Sequence, residues 1–187
     1  MGVRRLLILT CSLAMLAATP SAEAKDLNGR FGLGLEQSLG GVSGLTIRYW
    51  PMESLGINAT IGADIVTRTD FKFLSTKVVA STGFTYNFAE SLHANFGGGL
   101  RFALGFETAS GSNANNIQFD IEIPLTAEFF LSDNFSVSVA AGLLIAIVPG
   151  EGAVLDDGHS DQYPEDVDSV RFGIGAITGN VGVVYYF

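Results

Sequence analysis

The sequence predicts an all-β fold, an eight-stranded antiparallel up-and-down transmembrane β-barrel. Three observations carry that prediction. After residue 24 the chain falls into eight segments in which apolar residues recur at every second position, the period of a strand with two unlike faces. The row alternating with them is small and polar, mostly Gly, Ala, Ser, Thr and Asn. Only 16% of the chain is charged, against about 25% in typical soluble domains. The connections also differ in kind from one end of the strands to the other, with short turns at one end and longer loops at the other, the rhythm of outer-membrane-type barrels.

Residues 1–24 read as a secretory signal peptide. Arg4 and Arg5 supply a positive start, Leu6 to Ala18 an apolar stretch, and Ala22-Glu23-Ala24 a small-residue cleavage site. The apolar stretch is too short for a comfortable membrane helix. Cleavage sets a mature start at Lys25 and removes the single cysteine, Cys11. A lipoprotein signal acylated at Cys11 is the weaker reading, because Thr10 is a poor residue before such a Cys and the run preceding it, Leu6 to Thr10, is only five residues long. The domain of interest is therefore 25–187. The full chain carries a net charge of −9; without Arg4, Arg5 and Glu23 the domain carries −10, and with few Lys or Arg it has no footprint for nucleic acid.

The eight segments are 30–39, 43–50, 55–66, 73–88, 92–107, 116–131, 135–148 and 169–187. Most exceed the roughly 9–11 residues that a tilted strand needs to cross a bilayer. The first carries Phe31, Leu33 and Leu35 in its apolar row, and the second Leu45, Ile47 and Tyr49. The third has Ile57, Ala59, Ile61, Ala63 and Ile65. The fourth has Val78, Ala80, Phe84, Tyr86 and Phe88, with Thr76 and Thr82 between. Phe96, Leu100, Phe102, Leu104 and Phe106 mark the fifth. The sixth runs from Ile117 through Phe119, Ile121, Ile123 and Leu125 to Leu131, and the seventh from Phe135 through Val139 and Leu143 to Ile147. Counting back in twos from Phe187 gives Tyr185, Val183 and Val181, in a row whose only charge is Arg171.

Three connections are tight: Pro51–Ser54, Ala89–Ser91 and Ser132–Asn134. Thr67–Lys72, Thr108–Asn115 and Pro149–Asp168 are longer, while Leu39–Val42 is short where a long loop is due. Tyr49, Tyr86, Phe88, Phe129, Phe135, Tyr185 and Phe187 gather near the short-turn end. Phe102, Phe106 and Phe119 lie towards the other, so two aromatic bands are expected. A secreted β-sandwich also alternates, but its outward row should carry many charges, Lys above all.

The polar row contains Glu36, Arg48, Asp64, Lys77, Arg101, Asp120, Glu122 and Glu128. Eight strands leave an interior just wide enough to be filled by side chains. Charges there are expected to pair with one another, giving a lumen charge network. By parity Arg101 points inward, within reach of Asp120, Glu122 or Glu128 on the next strand, and Arg48 sits between the strands bearing Glu36 and Asp64. A gated ion path through these charges is the alternative, a small pore.

Enzymatic signals are few. His93 lies just after a short turn, and His159 stands beside Ser160 in a loop with seven carboxylates, Glu151, Asp156, Asp157, Asp161, Glu165, Asp166 and Asp168. That loop lacks the spacing of a calcium loop and reads as a solvated acidic surface. No phosphate loop, dinucleotide fingerprint or metal-spaced His cluster occurs. No enzyme activity, cofactor or metal is expected.

The terminal strand ending in Phe187, the strand count, the turn asymmetry and the inward charges together resemble the small eight-stranded bacterial outer-membrane barrels of the OmpA and OmpX type. The resemblance covers 25–187. It implies a Gram-negative outer membrane, both termini periplasmic, outer-membrane lipid around a monomer, and a structural or surface-interaction role with an extracellular partner that no motif identifies. It further implies that the barrel-insertion machinery reads the last strand, with Tyr185 and Phe187 as the assembly signal. Some barrels of this kind modify lipid A with His and Ser, which makes a lipid A-modifying enzyme the remaining alternative.

Overall fold

The computed structural model describes residues 25–68, 73–109, 115–150, 152–155, 168–174 and 180–187. Residues 1–24, for which a signal peptide is expected, and most of the 149–168 loop, with His159 and Ser160, lie outside them. Nine strand segments form one antiparallel sheet: β1 (Phe31–Gln37), β2 (Ser43–Tyr49), β3 (Leu55–Arg68), β4 (Phe73–Glu90), β5 (Ala94–Ala109), β6 (Asn115–Phe130), β7 (Phe135–Val148), β8 (Ser169–Ile174) and β9 (Asn180–Tyr186). Each strand pairs with the next, from β1 to β8. β9 then pairs with both β7 and β1, with Leu35 opposite Val183 at the closing seam. The cycle from β1 to β7 and back through β9 closes the barrel, while β8 pairs with β7 alone among the described residues; closure removes most of the edge that an open sheet must protect by other means.

β8 and β9 are two halves of one eighth barrel strand, both laid against β7. Leu143 faces Ile174 and Ala140 faces Asn180. The eighth strand thus advances six positions where β7 advances three. Three extra residues are an odd number, so the outward row changes parity. Phe172 is exposed on β8, and Val181 and Tyr185 on β9. This corrects the sequence reading, which ran one row from Phe187 back to Arg171. Arg171 stands opposite Ala146, a fully buried lumen residue, and belongs to the inward row. A smaller register shift occurs in β4 between Asn87 and Ala89, where the strand runs on to Glu90.

Burial is inverted relative to a soluble domain. Phe172 is 75% exposed, Ile65 64% and Leu125 62%, whereas Gln118, Asp120 and Glu122 are 0% exposed. The outward rows form an apolar belt around the whole barrel, far beyond the few hundred Å² of contiguous apolar surface usual for soluble monomers. Aromatic contacts knit the belt at the short-turn end. Phe187 lies 6.3 Å from Phe31 and 5.2 Å from Tyr185, and Phe96 meets Phe129 edge-on.

Apolar residues reach the interior mainly at the two ends. At the short-turn end Leu27, Trp50, Phe130, Val184 and Tyr186 form a buried cluster beneath the lumen. The segment before β1 turns at Asn28 and Gly29, where the Arg30 N–H bonds the Leu27 carbonyl at 2.9 Å, and it is held at this end by the Gly29 N–H donating to the Trp50 carbonyl at 2.7 Å. At the loop end Val42, Val79, Ala103 and Leu155 form a second cluster. Leu144, Ala146 and Val148 make a third, with Ala153 packed on it.

Candidate functional site

The lumen between these clusters is the candidate site, and parity places its members. Glu36 on β1, Arg48 on β2, Arg101 on β5, and Asp120, Glu122 and Glu128 on β6 are all buried. Glu36 is the hub. Its Oε2 accepts from Arg48 Nη2 at 2.9 Å, and its Oε1 from Arg101 Nη2 at 2.6 Å. The second contact crosses the bore between strands that are not sheet neighbours, a proximity that only a narrow closed barrel creates.

Arg101 stands directly opposite Glu122 in register, and their nearest charged atoms are 3.6 Å apart. Asp120 lies one inward position nearer the loops, opposite Ala103, and Glu128 lies towards the short turns, opposite Asn95. Glu128 is held by Arg48 at 3.0 Å, Ser136 at 2.6 Å and the Tyr186 hydroxyl at 2.9 Å. Asp120 accepts from the Gln118 side chain at 3.0 Å. Asp64 and Lys77 face one another in register further towards the loops, Asp64 exposed and Lys77 half-buried, apart from the Arg48 group. The buried set thus holds four carboxylates and two guanidiniums.

Two short segments fold inward and close the loop end. The turn after β1 is the short connection that broke the loop rhythm in the sequence. Gly41 takes φ +88°, a left-handed value that suits glycine, and Val42 N–H bonds the Ser38 hydroxyl. The turn drops into the barrel, where the backbone N–H groups of Leu39 and Gly40 donate to the Glu122 carboxylate at 3.2 and 2.8 Å. Leu39 and Val42 are buried as a result. From the 149–168 connection, Val154 and Leu155 also enter. Their N–H groups both donate to Gln118 Oε1, at 2.8 and 3.0 Å. Gly105 makes room for them: a Cβ there would come within 2.8 Å of both side chains.

Sequence reasoning missed three participants. Tyr186 falls in the row judged small and polar, yet its buried ring closes the short-turn end and its hydroxyl reaches Glu128. Trp50 donates its indole N–H to that same hydroxyl at 3.3 Å. Gln118 carries no charge and so drew no notice, although its place in the inward row was legible. Among Trp50, Arg48, Arg101 and Glu128 lies a polar cavity of about 20 Å³. It is bordered by Asn58, Asn87 and Asn95, whose side chains have atoms without a protein partner, and it is large enough for a water molecule.

Outside the barrel, Lys25 Nζ lies 2.7 Å from Asp133 in the turn before β7. The hydrogen bond from Lys25 holds the Asp133 carboxyl below its ordinary value, with the Lys25 charge adding to the effect. His93 is exposed at its turn. Among the described residues no group of three or more His, Cys, Asp or Glu side chains could hold a metal ion, and no helix is long and apolar enough to cross a membrane.

No family model matches the chain, and the comparison with curated proteins gives no match. Among solved structures, Ail, the attachment invasion locus protein of Yersinia pestis, crystallised in complex with the heparin analogue sucrose octasulfate, is similar at 15% identity and a TM-score of 0.47. The match covers 86% of this chain and 99% of that one. A second Ail structure matches at 12% identity and a TM-score of 0.38, with the same coverage. The barrel assignment rests on the strand pairings themselves.

Proposed function

We propose that the chain is an integral outer-membrane β-barrel with a sealed lumen, serving a structural or surface-interaction role. The observation that carries this reading is the inverted burial. An apolar belt with aromatic residues at its short-turn edge suits a lipid surround, and backbone polar groups paired around a closed sheet satisfy the demand that hydrocarbon makes of them. On this reading the short turns and both termini are periplasmic, and the long connections, including the acidic one, face outward.

A pore is disfavoured by the same geometry. Any path through the bore must pass the Trp50–Tyr186 cluster, the Glu36–Arg48–Arg101 contacts and the inward turn on Glu122. Catalysis is not assigned. Tyr185 and Phe187 fit a role as the assembly signal, since the Phe187 N–H bonds the Phe31 carbonyl at 2.8 Å across the closing seam. Deleting Phe187 is expected to lower folded outer-membrane protein and leave unfolded chain in the periplasm.

The test of the reading is membrane fractionation with gel mobility before and after boiling, and circular dichroism in detergent. A heat-modifiable band in the outer-membrane fraction with a β spectrum is expected. Solubility without detergent, or a helical spectrum, would overturn the reading. Planar-bilayer recordings should show no large, stable unitary current, and such a current from a verified monomer would reinstate the pore.

A further inference from the structure

The apolar belt is not uniformly convex. A depression of about 530 Å³ opens on its outer surface across β2 to β6. Its floor is made of small side chains, Ala59 on β3 with Ala80 and Thr82 on β4. Ala59 and Thr82 are opposite each other in register. One wall is Ile47 and Ile61. The other is formed by Leu104 and by the rings of Phe102 and Phe119, which stack at 6.2 Å with planes 19° apart. Thr82 turns its hydroxyl to the Asn58 carbonyl at 3.1 Å. Its methyl group is left to the groove, and the floor offers no free polar group.

We propose that this groove is a preferential seat for one acyl chain of a bilayer phospholipid. The proposal rests on the membrane reading above. The depression is continuous with the lipid-facing belt and lies at mid-strand. Ala80 and Thr82 are the centre of β4 (Phe73–Glu90), and Phe102 and Leu104 the centre of β5 (Ala94–Ala109), so it sits at hydrocarbon depth. Lipid tails gain nothing there from the hydrophobic effect, because one apolar surround replaces another. What a concave wall adds is dispersion contact on several sides of the chain at once. A second copy of the protein fits less well. A two-fold interface sets a patch against itself, and two facing depressions would leave a void where packing is needed.

The test uses the full barrel in phosphatidylcholine vesicles containing a small fraction of phosphatidylcholine with a mid-chain diazirine. After irradiation, adducts are mapped by peptide mass spectrometry. Labelling at the groove residues is expected at about three times the average of other outward positions, the factor a handful of added carbon–carbon contacts would give. Filling the groove with Ala59→Leu and Ala80→Phe should abolish the excess. Ala141→Phe, on the outward row of β7, should leave it unchanged. Boiled and unboiled gel mobility reports that each variant is folded. Even labelling around the belt would overturn the groove proposal alone. Protein–protein adducts or a dimer at these residues would replace the acyl chain by a second copy. Absence of labelling at every outward position would instead refute the membrane reading beneath it.

Discussion

Arg101→Ala is the perturbation whose cost the lumen geometry specifies best. Arg101 is buried, with one guanidinium nitrogen 2.6 Å from Glu36 and the other 3.6 Å from Glu122. Breaking a buried pair from one side typically costs about 3–5 kcal/mol, since a charge is left uncompensated. Two features draw the value to the low end. Glu36 keeps Arg48 at 2.9 Å, and Glu122 keeps the Leu39 and Gly40 N–H groups. A loss of about 3 kcal/mol is expected. With a urea slope of about 2 kcal/mol/M, the unfolding midpoint falls by about 1.5 M. The assay is urea unfolding in detergent micelles, read by the fluorescence of Trp50, the single tryptophan, buried at the short-turn end. Adding Glu122→Gln to the Arg101→Ala barrel removes one stranded charge; its amide oxygen can keep the shorter bond from the Gly40 N–H while the longer one from Leu39 is lost, so part of the loss, not all of it, should return. An Arg101→Ala midpoint within about 0.3 M of the parent, or no recovery in the double variant, would refute the pairing as a source of stability.

Tyr186→Phe removes the hydrogen bond to Glu128 and also the acceptor of the buried Trp50 indole N–H, so it should cost about 2–3 kcal/mol although Glu128 retains Arg48 and Ser136; an unchanged midpoint in the same assay would contradict it. Gln118→Leu strands the Val154 and Leu155 N–H groups and should cost about 2 kcal/mol. In that background a Leu155→Cys thiol should react with a water-soluble maleimide much faster than in the parent, and equal rates would show that Gln118 does not hold the segment. At the short-turn end the lowered Asp133 carboxyl contributes stability that is present above its unfolded pKa and lost as pH falls through the lower folded one. The stability gap between parent and Asp133→Asn, small at neutral pH because the pair is on the surface, should close in acid; a gap that widens there would reverse the assignment.

Strand existence and facing were legible because the period of two is exact and the two faces differ so sharply. β7 runs over Phe135–Val148, the same bounds the alternation gives, and β2 differs from its sequence segment by one residue. Parity also fixed the inward side for Arg101 and Glu122. What parity cannot convey is who meets whom across the bore. Arg101 and Glu36 are 65 residues apart and on strands that do not pair, so their contact depends on barrel radius and tilt. The inward fold of Leu39–Val42 was hinted at only by its length, as its anchor on Glu122 is 82 residues away from Gly40. Counting in twos failed in the last strand, where three extra residues between Ile174 and Asn180 exchange the faces. Nothing in Gly175–Gly179 departs from the strand's composition, and the shift is visible only against the register of β7. Tyr186 was misjudged because an aromatic residue in a lumen row reads as an exception until its hydroxyl is seen on Glu128.

The central claim is a sealed barrel with its apolar rows in lipid, and a spin-label scan along β7 tests it most directly. Single cysteines are placed at Ser138, Val139, Leu143, Leu144, Ala146 and Ile147 in a chain of residues 25–187, labelled, and reconstituted in phosphatidylcholine bilayers. Collision rates are read with oxygen, which dissolves in the bilayer, and with a water-soluble nickel chelate. The account predicts high oxygen and low nickel accessibility at Val139, Leu143 and Ile147, and low values of both at Ser138, Leu144 and Ala146. Nickel access at Val139, Leu143 and Ile147 would place the belt in water, and nickel access at Ser138, Leu144 and Ala146 would mean an open lumen; either result contradicts the account.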